Sequence, residues 1–196
     1  MSEVPTLGSA NHVICTLFYK GKTFYIDATC NHIPYTYTPQ HIQGSEAMIE
    51  NGDKPLLQIV PQQKADASID SLAYQYHLQG DALAGKATYQ LRGDMKEWFM
   101  SIIDDAGNKN SDDILANNLN ADTHNMTVSD VKWTDQDARH EWARFTGNVV
   151  NEPAVQQMDG EIYIELNPHN NLFDNRIDTT GRSNDYYFPV RCNIVR

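Results

Sequence analysis

Leu72-Ala-Tyr-Gln-Tyr-His-Leu-Gln-Gly80-Asp81-Ala-Leu-Ala-Gly-Lys-Ala-Thr-Tyr-Gln-Leu91 is the stretch on which the fold turns. Leu72, Tyr74, Tyr76 and Leu78 alternate with Ala73, Gln75, His77 and Gln79. Beyond Gly80-Asp81, Leu83, Gly85, Ala87, Tyr89 and Leu91 alternate with Ala84, Lys86, Thr88 and Gln90. A period of two belongs to a strand with one buried face. A two-residue Gly-Asp loop pairs Gln79 with Ala82, which sets Leu78 against Leu83 and Leu72 against Tyr89. Pattern and turn demand the same register, so a hairpin is expected here. His77 falls on its polar face, as a solvated strand residue.

Towards the C-terminus a helical insertion follows. Asp94 with Glu97 three residues on resembles a capping box, Trp98, Phe99, Ile102 and Ile103 form an apolar stripe, and Gly107 supplies a stop. Ser111 is placed to cap a second short helix carrying Ile114, Leu115 and Leu119. Strands are then expected over roughly 126–134, 140–150, 160–166 and 185–195. The fold class is mainly β, with antiparallel hairpins followed by a β-sandwich bearing a short helical insertion.

Towards the N-terminus, residues 46–49 and 56–60 flank Asn51-Gly52-Asp53-Lys54, a second hairpin signal. Residues 31–40, with Pro34 and Pro39 among Tyr35 and Tyr37, read as an extended loop, and residues 1–11 as a poorly ordered lead-in. The proline- and glutamine-rich stretch after Val60 divides the chain into 1–62 and 63–196. Sixty residues of hairpins bury too little surface to stand alone, so the first part must pack on the rest or on something absent.

Its first hairpin carries the chemistry. Two β-branched and aromatic runs flank Lys20-Gly21-Lys22. With Tyr19 paired to Lys22, Ile14 lies opposite Asp27, and His12 becomes a diagonal neighbour of Asp27 on the same face. A carboxylate that orients an imidazole is two thirds of a nucleophilic triad. Cys15 stands at an odd offset from His12 and Cys30 at an odd offset from Asp27, so neither reads as the missing nucleophile. Cys192 is remote in sequence.

The segment His12-Val-Ile-Cys through Gly21-Lys-Thr-Phe-Tyr-Ile-Asp27-Ala-Thr29 resembles the His and Asp strands of the transglutaminase-like superfamily. The likeness continues through Ile33-Pro34 and Gln43-Gly44-Ser45-Glu46-Ala47 into a long β-rich tail. The resemblance implies that His12 is the general acid/base and Asp27 its orienting partner in a papain-like triad. The family's cysteine lies on a helix upstream of the His, and none of the residues before His12 is Cys. The chain therefore reads as a fragment of a cysteine acyl-transferase or peptidase, inactive alone. Residues 1–62 match the end of the core, and 63–196 match the accessory β domain of unknown function found in large exported bacterial proteins. A protein or peptide substrate and a periplasmic or extracellular location follow from the resemblance, although no signal peptide follows Met1. No cofactor and no metal is expected. The other reading is a non-catalytic β-sandwich module that binds protein or glycan. With the cysteine helix missing, the sheet face bearing His12, Ile14, Thr16 and Tyr25 is expected to lack its cover and to invite self-association or a missing N-terminal segment.

A net charge of −11 and a pI near 4.9 argue against nucleic acid and against anionic lipid. No apolar run is long enough for membrane insertion. Three widely spaced cysteines suggest neither a disulfide framework nor a zinc site. His140-Glu141-Trp142-Ala143-Arg144 lacks the second histidine of a zincin. The donors from Asn108 to Asp113 have an aspartate where a calcium loop needs glycine. In the tail, Asn167-Pro168-His169 and Arg182 to Val190 are the most distinctive stretches. The aromatic cluster Tyr186-Tyr187-Phe188 of the second offers a peptide- or glycan-binding surface, but Tyr187 and Pro189 read rather as cover for a sandwich edge.

Overall fold

The computed structural model describes residues 10–107, 110–120, 126–166 and 193–195. The chain is mainly β, with antiparallel sheets and a short helical insertion. β1 (Cys15–Tyr19) and β2 (Lys22–Ile26) form the first hairpin, and β3 (Glu46–Ile49) and β4 (Leu56–Ile59) the second. β5 (Ile69–Gln79) and β6 (Ala82–Arg92) follow, then α1 (Asp94–Ala106) and α2 (Ser111–Leu119). β7 (Met126–Asp135), β8 (Trp142–Asn151), β9 (Val155–Met158), β10 (Glu161–Ile164) and β11 (Asn193–Val195) complete the order. Among the described residues, the largest sheet has five strands ordered β11-β5-β6-β8-β7, and only β11 lies parallel to its neighbour there. Of the strand expected over 185–195, and of the aromatic cluster at 186–188, residues 185–192 lie outside the described residues.

The β5–β6 register is the one derived from pattern and turn: Gln79 faces Ala82, Leu78 faces Leu83 and Leu72 faces Tyr89. One face of the sheet presents Leu72, Ala87, Tyr89, Leu91, Ala143, Phe145 and Val149. Phe99 and Met100 of α1, with Leu115 and Leu119 of α2, pack onto it. Phe145 stacks with Tyr89 at 5.1 Å and with Phe99 at 5.4 Å between ring centroids. Each of these aliphatic side chains, once fully buried, stabilises the layer by about 1.5–3 kcal/mol. At the far end, Ala154 and Val155 close over Leu83. The second layer expected of a sandwich is thus filled chiefly by the two helices.

The start of α1 departs from the expected capping box. Gly93 is the N-cap, at φ 64°, and has no side chain to offer; the Asp94 and Met95 N–H groups donate instead to the Tyr37 hydroxyl (3.3 Å) and the Ser68 hydroxyl (3.2 Å). A Cβ at Gly93 would lie 2.5 Å from the Ala67 carbonyl oxygen and 2.8 Å from the Tyr37 ring, so glycine meets both a conformational and a spatial demand. Asp94 and Glu97 are thereby left to accept from the backbone N–H groups of Gln40, Asn31 and His32, which lie between β2 and β3 and outside any strand ladder. Trp98 is 61% exposed, and the fully buried neighbour on this helix is Lys96. Its ammonium donates to the carbonyls of Asp137 (2.9 Å), Ala138 (3.3 Å) and His140 (2.7 Å), holding the β7–β8 connection. Burial lowers the Lys96 pKa, against the pull of Asp135, Asp137 and Glu97.

The N-terminal segment has its own small core of Tyr25, Ile42, Ile49 and Val60, backed by Ile14 and Ala47. This corrects one expectation. The sheet face bearing Ile14, Thr16 and Tyr25 is covered from within the chain, and the Tyr25 hydroxyl donates to Gln58 at 2.8 Å. The physical reason is that the β3–β4 hairpin and the loop before it fold back over that face. The opposite face, with Val13, Cys15, Leu17 and Tyr19, is the exposed one.

Candidate functional site

Tyr19 pairs with Lys22 and Cys15 with Ile26, the register from which the His12–Asp27 contact was derived. Asp27 follows β2 directly and is buried at the edge of the small core. Its Oδ1 accepts from the Thr29 backbone N–H (2.9 Å) and the Thr29 hydroxyl (2.8 Å). Its Oδ2 meets the His12 Nε2 at 2.6 Å, as the hairpin geometry requires. The same oxygen meets the Nε2 of a second histidine, His41, also at 2.6 Å. The two rings are 5.7 Å apart in an edge-to-face arrangement.

Burial alone would raise the Asp27 pKa. The Thr29 N–H, His12, the Thr29 hydroxyl and His41 outweigh it and hold the carboxyl well below the usual carboxylate range. An ionised carboxylate only accepts hydrogen bonds, so Nε2 of each facing ring must carry the proton. In a neutral imidazole this leaves Nδ1 with the free lone pair. The Asp27 side chain is fully buried, whereas the His12 and His41 side chains are 37% and 51% exposed. The carboxylate is thus the fixed element, and both imidazoles open to solvent.

The scaffold reaches across the chain. Glu97 accepts from the N–H of Asn31 (3.0 Å) and of His32 (2.7 Å). Asp94 accepts from the Gln40 N–H (2.9 Å) and from the Tyr37 hydroxyl. Asp104 adds a contact to the His32 Nε2 at 2.9 Å. Two carboxylates in the first turn of α1 therefore pin the loop between β2 and β3 at both ends. Within that loop a 3-10 helix, Gln40–Ile42, buries Ile42 in the small core and turns His41 towards Asp27.

Of the sequence candidates, His12 and Asp27 are brought together. Cys15 sits on the opposite, exposed face of β1. Burial, with the carboxylates of Glu97, Asp27 and Asp94 around it, pushes the Cys30 thiol up to about 12, the reverse of what a nucleophile needs. Both are free thiols. Cys192 lies outside the described residues. His140 lies on the β7–β8 connection against Asp135, at 2.9 Å. His41 is the site residue that sequence reasoning missed: it stands in a loop without periodicity, and only its place two residues after Pro39 hinted at a fixed conformation. No family model, curated protein or solved structure matches this chain. Among the described residues, no helix is long and apolar enough to cross a membrane.

Proposed function

We propose that this chain carries the acid/base half of a transglutaminase-like cysteine acyl-transferase or peptidase acting on protein or peptide substrates. The observation that carries the reading is the 2.6 Å contact between His12 Nε2 and a buried Asp27 whose other oxygen is fixed by Thr29. In that reaction a cysteine thiolate, supplied by another segment or chain, attacks a glutamine carboxamide or peptide carbonyl. His12, with Nε2–H held by Asp27, accepts the thiol proton at Nδ1 and delivers it to the leaving amine. Asp27 fixes the tautomer and stabilises the imidazolium that forms. The nucleophile is not assigned to Cys15, which faces away, or to Cys30, whose thiol is held protonated.

The test is incorporation of a labelled primary amine into a glutamine donor, or cleavage of a peptide pool. It uses the gene product isolated from its own cell together with whatever polypeptide accompanies it. Activity blocked by iodoacetamide and lowered about 10³–10⁴-fold in Asp27→Asn is expected, by analogy with triads deprived of the correct tautomer. No activity in that preparation refutes the reading and leaves the accessory binding module.

A further inference from the structure

We propose that His12, Asp27 and His41 form a binding site for one divalent transition-metal ion of the zinc class. Two imidazole nitrogens and one carboxylate oxygen lie within 4.8 Å of one another, contributed by the segment leading into β1, the residue after β2 and the 3-10 helix. Each ring presents Nε2, a usual ligating atom, towards the same oxygen. Thr29 occupies Oδ1 twice, which leaves Oδ2 as a single oriented donor. Hydrogen bonds of this kind, made to the oxygen that does not ligate, are how metal sites hold their carboxylates.

The dimensions fit with a small adjustment. Ligand bonds of about 2.0–2.1 Å to a tetrahedral ion place donor atoms about 3.4 Å apart. The nitrogens now stand 2.6 Å from Oδ2, so each ring withdraws by less than about 1 Å. Both rings are partly exposed and free to make that movement, while the buried carboxylate stays in place. Their exposure also leaves room for water to complete the coordination. A set of two imidazoles and one carboxylate suits zinc, copper or nickel, whereas calcium and magnesium require oxygen cages.

The site goes beyond the acid/base reading and stands without it. One consequence does rest on that reading. A metal takes the lone pair at Nε2, so the His12 proton moves to Nδ1, the atom that must act as base. The metal-bound form is therefore silent in acid/base chemistry, and the ion acts as an inhibitor.

The experiment is calorimetric titration of the untagged, chelator-treated protein with Zn2+, paralleled by Co2+ and its visible absorption. One ion per chain is expected, with Co2+ bands typical of four or five ligands. His41→Gln leaves the His12–Asp27 pair intact and should weaken binding by more than about 100-fold, and Thr29→Ala by about tenfold. A thermal shift on adding Zn2+ to wild type, absent in His41→Gln of equal starting stability, confirms that both proteins are folded. No binding at millimolar Zn2+, or equal affinity in wild type and His41→Gln, overturns the proposal. Neither result touches the amine-incorporation assay, so the two readings fail separately.

Discussion

Asp27→Asn replaces one carboxylate oxygen by an NH2 group in a side chain of nearly unchanged shape, and its effect can be worked from the four bonds around it. Hydrogen bonds to a charged group contribute about 1.5–3 kcal/mol, and neutral ones about 0.5–1.5. The amide oxygen still accepts from the Thr29 N–H and hydroxyl, now as neutral bonds. The amide nitrogen replaces Oδ2 and can only donate, so His12 and His41 keep their contacts only by moving their protons from Nε2 to Nδ1. A loss of about 1 kcal/mol at each of four bonds gives about 4 kcal/mol gross. The lower cost of burying a neutral group returns part of this, leaving a net destabilisation of about 2 kcal/mol. Urea unfolding at pH 7 in the presence of chelator reads the stability, and long-range proton–nitrogen NMR reads the tautomers. The expected result is a lowered midpoint with unchanged slope, and both rings switched from Nε2–H to Nδ1–H. A stability within about 0.5 kcal/mol of wild type, the usual spread of neutral surface changes, together with unaltered tautomers would refute the four-bond account.

Glu97→Ala removes the acceptor for Asn31 and His32, and should cost about 2–3 kcal/mol; it should also speed amide hydrogen exchange selectively at residues 31 and 32. Unchanged exchange there would show that α1 does not hold the loop. Lys96→Met keeps the buried stem but leaves three carbonyls of the β7–β8 connection without their donor, and a loss of about 2–4 kcal/mol in a denaturation curve is expected. A variant as stable as wild type would mean that water replaces the ammonium. With its thiol pushed up to about 12, Cys30 is only about 10⁻⁴ thiolate at pH 8. Mass-spectrometric mapping should find iodoacetamide on Cys15 well before Cys30, with Cys30 labelling rising about tenfold per pH unit up to pH 11. Equal labelling at pH 8 would contradict the burial of Cys30.

The hairpins were legible because each is specified locally. Between Leu72 and Leu91, alternation and a two-residue turn independently give one register, and no distant residue is needed to choose it. The His12–Asp27 contact was legible for the same reason: once Tyr19 meets Lys22, the diagonal follows. His41 was not, because its loop has no period and is positioned by Asp94 and Glu97 on a helix far along the chain. The capping-box pattern at those two acids is real as a pattern, but the N–H groups of Asn31, His32 and Gln40 offer partners that a local rule does not see. Lys96 was invisible for a related reason. Its three partners are backbone carbonyls, which have no letter in a sequence, and a lysine on a helix ordinarily reads as solvated.

The parallel seat of β11 against β5 bears on the order in which the molecule assembles. The β5–β6 hairpin closes across two residues and can form within microseconds. β11 reaches β5 only after every element from β6 to β10 has been passed, so its pairing carries the largest loop-closure entropy in the sheet. Contacts of that range are made late. Until then the outer N–H and C=O groups of β5 from Ile69 to Ser71 are an unpaired edge, able to template pairing with another nascent chain. At the Ile69–Ser71 end of β5 that hazard is confined to an interval of synthesis, because β11 closes the edge there in the finished fold.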